Sequence, residues 1–296
     1  MFCKPSFFGL KVLPELDIND SVLHALATET VNKGFTVPGV QKKLSICLEK
    51  GKGLRLTLVG YPTGYILKPQ AEEYPYLPES EDLAMDMASV LGINVVPHGL
   101  IKMKNGQNAY ITKRVDRIDS KKLAMEDFCQ LSGRLTEDKY KGSYEQCAKI
   151  IKEYSSRPGF DLSEFFLRIV YCFVSGNSDM HLKNFSLIES ESGSQNYVLS
   201  PAYDLLPVNL VNPADTEETA LTMLGKKKNF KRDDFLEFAK NIGMETKVAE
   251  NMIKKVVSAE HKFCEMIEAS ELPEDMKDSY TKLITKRTSE LEKNKI

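Results

Sequence analysis

The chain has 296 residues, 42% hydrophobic and 28% charged, with a formal net charge of −2. These proportions exclude a wholly disordered chain, which carries fewer apolar residues and more net charge, and 17 Gly with 13 Pro exclude a collagen-like one. The balance of charge also speaks against broad non-specific nucleic-acid binding, which draws on a basic surface.

In chain order, Lys43 to Glu49 alternates, with Leu44, Ile46 and Leu48 on one side. Gly51-Lys52-Gly53 then turns the chain into a second alternating run through Leu54, Leu56 and Leu58, which predicts a β-hairpin. Tyr65-Ile66-Leu67-Lys68 reads as a further strand stopped by Pro69. A helix is predicted from about Glu79 to Leu91, because Leu83, Met87 and Leu91 recur every fourth residue and Gly92 stands at the C-cap. Glu81 shares a face with Ala84 and Ala88 and should point partly inward. Val95-Val96, Gly99 to Met103 and Asn108 to Thr112 read as strands, with Asn105-Gly106 as a turn.

The second half reads as helical. Ser163 to Val174 carries a wide apolar stripe of Phe165, Phe166, Ile169, Val170, Phe173 and Val174, ended by Gly176. Phe185 to Ile188 and Tyr197 to Leu199 suggest two strands of a hairpin, and several amphipathic helices are expected from about Lys231 to Lys293. Met85, Met87, Met180 and Met223 read as core filler, and Lys226-Lys227-Lys228 as a solvated loop. The expected class is α+β with two lobes. A β-rich N-lobe spans residues 1–116 and a mainly α-helical C-lobe spans 117–296, the break falling near 114–125.

The stretch richest in chemistry is Gly176-Asn177-Ser178-Asp179-Met180-His181-Leu182-Lys183-Asn184-Phe185. It sets Asp179 and Asn184 five apart on a loop after a buried helix. A carboxylate there can orient a hydroxyl and take its proton, and an amide oxygen can reach a magnesium ion. The bland alternative is an Asx-turn leading into the next strand. Asp204, in Ser200-Pro201-Ala202-Tyr203-Asp204-Leu205-Leu206-Pro207, follows the hairpin and should return beside Asn184, where the two would offer hard oxygen ligands. Its alternative is a turn cap between two prolines. Together Asp179, Asn184 and Asp204 favour phosphoryl transfer.

Phosphates need donors. Gly39, in Gly34-Phe35-Thr36-Val37-Pro38-Gly39-Val40-Gln41-Lys42-Lys43, allows close backbone approach, although the segment also fits a plain strand-entry turn. Lys68 stands where a phosphate-contacting lysine belongs, with Glu81 as its natural ion-pair partner. A solvated strand end and a helix N-terminal carboxylate are the plainer readings. Thr112-Lys113-Arg114-Val115-Asp116-Arg117 joins the lobes and offers backbone groups to an adenine edge, or a structural clamp. His181 suits a phosphate or nucleotide contact, or a structural place.

These motifs, with Met125-Glu126-Asp127-Phe128 and Lys141-Gly142-Ser143-Tyr144-Glu145, make the chain resemble the HipA family of bacterial serine/threonine kinase toxins from about Gly34 to Gly243. The resemblance implies a kinase-like fold, Mg·ATP as cofactor, and a protein substrate, typically an aminoacyl-tRNA synthetase. It implies Asp179 as catalytic base and Asn184 and Asp204 as metal ligands. Lys68 would contact phosphate, and Pro38, Gly39, Val40, Gln41 and Lys43 would form the phosphate loop. Lys113, Arg114 and Val115 would form the adenine hinge, with His181 and Tyr203 beside the nucleotide. Family members autophosphorylate a serine before the phosphate loop, and the matching residue is Thr36.

About 35 residues precede that loop. The resemblance is therefore to split members, in which a small separate protein supplies an N-terminal β subdomain and a helix-turn-helix antitoxin completes the module. DNA would be reached only through that antitoxin. No apolar run approaches the roughly 18 residues of a membrane span, Met1 to Leu13 lacks a signal peptide's layout, and six cysteines are scattered singly. A cytoplasmic protein is therefore expected. A small-molecule (antibiotic-type) kinase and a pseudokinase scaffold are the alternative readings.

Overall fold

Alternating apolar residues build the first sheet. The computed structural model describes residues 3, 5–16, 43–50, 54–58, 64–118 and 121–292. Strands β1 (Glu15–Leu16), β2 (Leu44–Lys50), β3 (Leu54–Leu58), β4 (Tyr65–Pro69), β5 (His98–Lys102) and β6 (Asn108–Lys113) lie in the order β1-β3-β2-β4-β6-β5. The expected hairpin pairs β2 with β3 in antiparallel register, Ile46 opposite Leu58. Leu44, Ile46, Leu67, Ala109 and Ile111 bury one face together with Phe8 and Tyr65. At the expected Asn105-Gly106 turn, Met103 N donates to Gln107 O at 2.8 Å and Gly106 takes φ +83°. Strand β4 is flanked by β2 and β6, so Lys68 emerges from the middle of the sheet.

Two compact units divide the chain: Met1–Asp82 with Val96–Arg117, and Leu83–Val95 with Ile118–Ile296. Helix α1 (Leu77–Val90) passes from one into the other. Composition alone suggests a single break near 114–125, but residues 83–95 also belong to the second unit because they are built into it. Ala84 O accepts from Tyr171 Oη, and Asn94 N donates to Glu164 Oε1 at 3.0 Å. Gly92, at φ +71°, ends this helix as expected.

Short strands β7 (Arg117–Ile118) and β8 (Lys121–Lys122) precede β9 (Met125–Asp127), β10 (Ser186–Glu189) and β11 (Tyr197–Leu199). The last three form an antiparallel sheet, β11-β10-β9, with Leu187 opposite Leu199. The helices are α2 (Phe128–Leu131), α3 (Tyr144–Tyr154), α4 (Pro158–Ser175), α5 (Val208–Val211), α6 (Arg232–Asn241), α7 (Thr246–Ser258), α8 (Glu260–Glu268) and α9 (Glu274–Leu291). Helix α4 is the core of this unit, its apolar stripe fully buried. It begins five residues before the periodicity predicts, because Pro158 occupies the first turn, where a missing N–H costs nothing. It ends at Gly176 with φ +74°, where an added Cβ would lie 2.6 Å from Leu283 Cδ2.

Helix α3 lies in a stretch to which the sequence reading assigns no element. Ser143 caps it, accepting from Gln146 N at 3.3 Å, and Cys147, Ala148 and Ile151 are its buried face. The four methionines read as core filler are buried, and all six cysteines are free thiols. Lys226 and Lys227 are ion-paired with Asp234 and Glu217 rather than simply solvated.

Candidate active site

The loop after α4 is shaped by its own polar side chains. Gly176 turns the chain and Asn177 N closes back on Cys172 O at 2.8 Å. Asn177 Oδ1 then accepts from Asp179 N at 3.1 Å, so Asn177 makes the Asx-turn and the Asp179 carboxylate is left over from it. Asp179 O accepts from His181 N at 2.8 Å and from Asn184 Nδ2 at 2.9 Å. Spending the amide nitrogen on that carbonyl fixes the Asn184 side chain, whose Oδ1 accepts no hydrogen bond among the described residues. Stacked and edge-on rings of Phe128, Tyr144, Phe165 and Phe185 support the loop.

Asp204 arrives from the β10–β11 hairpin. Ser200 N donates to Ser186 O at 2.9 Å, and Ala202 N to Asn94 O at 2.6 Å. Tyr203 Oη bonds with Ser186 Oγ and donates to Lys183 O at 3.1 Å, which seats the residue before Asp204 against the residue before Asn184. Asp204 itself has φ +57°, the left-handed region in which an Asp is several-fold commoner than most side chains. Both carboxylates act on His181. Burial pushes this imidazole down to about 4, the charges of Asp179 and Asp204 oppose that, and Lys139 adds to it. His181 is therefore a neutral ring on which the charges of both carboxylates act.

In the first unit, Lys68 and Glu81 form a direct ion pair, 4% and 1% exposed, with Lys68 Nζ also 5.2 Å from the centre of the Tyr110 ring. Register places Tyr110 opposite Lys68. Lys43 is exposed and immediately precedes Leu44, which pairs with Leu67 on the Lys68 strand. Thr36, Pro38, Gly39, Val40 and Gln41 lie outside the described residues. At the expected hinge, Lys113 N donates to Pro97 O at 2.9 Å and Arg114 N to Gly64 O at 2.8 Å. Of Lys113, Arg114 and Val115, only Val115 keeps its N–H without a backbone partner among the described residues. Asp116 is held by Arg114 through two bonds, at 3.0 and 2.9 Å, and by Arg117.

Several supporting residues escape a reading of the sequence. Tyr140 Oη donates to Asp179 Oδ1 at 2.6 Å. Arg168, fully buried on α4, donates to Ser200 O at 2.7 Å and to Glu164, bracing the segment that carries Asp204. Burial lowers its pKa while Glu164 opposes that. Ser178 Oγ donates to Asp215 Oδ2 at 2.6 Å, and Lys183 Nζ to Asp127 Oδ2 at 2.7 Å. The Met125–Phe128 motif thus supplies Asp127 as the partner of Lys183, on the loop that carries Asp179. Tyr203, expected beside the nucleotide, has its hydroxyl spent on the framework, leaving its ring as the only part to meet a ligand.

Known proteins with this architecture can now be compared. The family described as HipA-like C-terminal domain matches residues 35–263. A Haemophilus influenzae protein named "Putative kinase" is 30% identical over 285 residues, covering 86% of this chain and 81% of its own. Among solved structures, the HipA chain of the Shewanella oneidensis toxin–antitoxin complex of HipA, HipB and operator DNA superimposes with a TM-score of 0.72 at 20% identity. That match covers 86% of this chain and 64% of the Shewanella chain. The Helicobacter pylori proinflammatory kinase CtkA gives 0.58 at 18% identity, covering 83% of this chain and 93% of CtkA. The fold is thus the mixed α+β, kinase-like one expected from the sequence. Among the described residues no helix is long and apolar enough to cross a membrane.

Proposed function

The chain belongs to the HipA-like C-terminal domain family, and from that premise we propose that it is an ATP-dependent protein serine/threonine kinase, the toxin of a toxin–antitoxin module. One observation carries the reading. In the loop after α4, Asn177 supplies the turn and the Asn184 amide nitrogen is spent on a backbone carbonyl, so the Asn184 amide oxygen is left for a ligand and the Asp179 carboxylate bonds to a side-chain hydroxyl rather than to the turn.

Asp179 would hold the acceptor hydroxyl and take its proton. Asn184 and Asp204 offer the amide and carboxylate oxygens that Mg²⁺ prefers, so the donor set fits this ion. When bound there, Mg²⁺ would neutralise charge on the phosphates and on the transferred group. In the first unit, Lys68, directed by Glu81, would contact the ATP phosphates. The loop of Pro38, Gly39, Val40, Gln41 and Lys43 would cover them. Val115 N–H would meet the adenine edge, between Lys113 and Arg114 on one side and Asp116 on the other. His181 and the Tyr203 ring would line the nucleotide. Catalysis then consists of positioning and charge stabilisation.

The Shewanella neighbour, solved with HipB and operator DNA, supports a helix-turn-helix antitoxin as partner, with DNA reached indirectly. A net charge of −2 suits that arrangement. A separate small protein carrying the N-terminal subdomain, an aminoacyl-tRNA synthetase as substrate, autophosphorylation at Thr36 and a cytoplasmic location complete the proposal.

The test is Asp179→Gln. With radiolabelled Mg·ATP and cell lysate, wild type should label one protein band. The variant should lose about 10²–10⁴-fold in transfer and still bind ATP. Undiminished transfer would remove Asp179 from the mechanism, and label in a small metabolite would make the protein a small-molecule kinase.

A further inference from the structure

A carboxylate read as taking a proton from a hydroxyl already holds one. Tyr140 Oη is 2.6 Å from Asp179 Oδ1, on a side chain 45% exposed. We propose that Tyr140 is a placeholder in the acceptor position. Its phenol occupies the bond to Asp179 that an acceptor hydroxyl must make, excludes water from it, and yields only to a protein segment that displaces it. The inference rests on Asp179 being the base, and deepens that reading by naming what decides which hydroxyl reaches it.

The surroundings fit a group built to stay until displaced. Leu182 N donates to Lys139 O at 3.1 Å, tying the Tyr140 backbone to the loop that carries Asp179. Displacement therefore needs only rotation of the tyrosine side chain into solvent, at the exposed end of a short turn. The ring stands edge-on to His181, centroids 5.0 Å apart at 81°, and Lys139 Nζ lies 4.9 Å from its centre. Both contacts hold the ring near Asp179 without burying it. Partial burial, the bond to Asp179 and its negative charge all raise the phenol pKa, so the hydroxyl stays protonated and remains a donor. Leu135, five residues earlier, is also exposed and offers an incoming polypeptide an apolar contact. A water molecule has no such contact to offer, so the arrangement favours a protein hydroxyl over hydrolysis of ATP.

The test uses Tyr140→Phe, which removes the hydroxyl and keeps the ring. Mg·ATP hydrolysis by the full chain, without protein substrate, should rise roughly threefold to tenfold, the occupancy that one net hydrogen bond confers. The rise should vanish in Tyr140→Phe/Asp179→Gln. Unchanged or lower hydrolysis in Tyr140→Phe, or a rise that persists in the double variant, would overturn the placeholder. Intact mass supplies a second check: a phosphate found on Tyr140 of the wild type would also overturn it, because the phenol would then be an acceptor. The two readings fail separately. Loss of protein labelling in Asp179→Gln with flat hydrolysis in Tyr140→Phe refutes the placeholder alone, while undiminished labelling in Asp179→Gln refutes the base.

Discussion

Lys68 with Glu81 and the group around Asp179 solve opposite electrostatic problems. The first is a buried cation and anion in direct contact and nearly solvent-free. In the second, the charges of two carboxylates at half-buried positions act on a neutral histidine, with Asp204 in a left-handed backbone conformation. A charge pair of the first kind contributes to the fold once both partners are present, whereas breaking one leaves an uncompensated buried charge. Like charges of the second kind repel one another. On the proposed reading, a divalent cation bound there would remove the repulsion.

The largest expected effect follows from the first region. Glu81→Ala removes the carboxylate that the buried Lys68 ammonium touches and should lower unfolding free energy by about 3–5 kcal/mol. The double variant Lys68→Met/Glu81→Leu should recover most of that loss, since it removes both desolvation penalties. Chemical denaturation of the three proteins measures this directly. A double variant as unstable as Glu81→Ala would mean that the loss does not come from breaking the pair. The second region predicts the reverse. Asp204→Asn keeps a residue that accepts φ above zero and removes one of two like charges, so it should change stability by less than about 1 kcal/mol without nucleotide. A loss as large as that of Glu81→Ala would erase the distinction between the two regions.

How far each region could be read from sequence follows from the distances along the chain. The Lys68–Glu81 pair was readable because both positions fall out of local periodicity, one at the end of an apolar strand and one on the Ala84–Ala88 face of a helix. The return of the chain after Asn184 was readable because two short alternating runs flank a Ser/Gly/Glu loop, and the β10–β11 register shows that hairpin. Tyr140 on Asp179, 39 residues away, and Arg168 on Ser200 O, 32 away, have no such local sign. They depend on how α3 and α4 pack, and packing of that kind leaves no periodic trace. Helix α3 did carry a sign, with Ser143 at its cap and buried residues at positions 144, 147, 148 and 151. An Asp and an Asn five apart suggested either an Asx-turn or a catalytic loop. In the structure Asn177 makes the turn, so Asp179 does not need to.

The central claim is that Asn184 and Asp204 form a magnesium site that holds nucleotide. Calorimetric titration of Mg·ATP into wild type and Asp204→Asn, each shown folded by its melting curve, tests it most directly. The account predicts metal-dependent binding by wild type and a loss of roughly tenfold or more in the variant, the cost of one charge-assisted ligand. Equal affinity in both, or wild-type binding indifferent to removal of Mg²⁺, would contradict it.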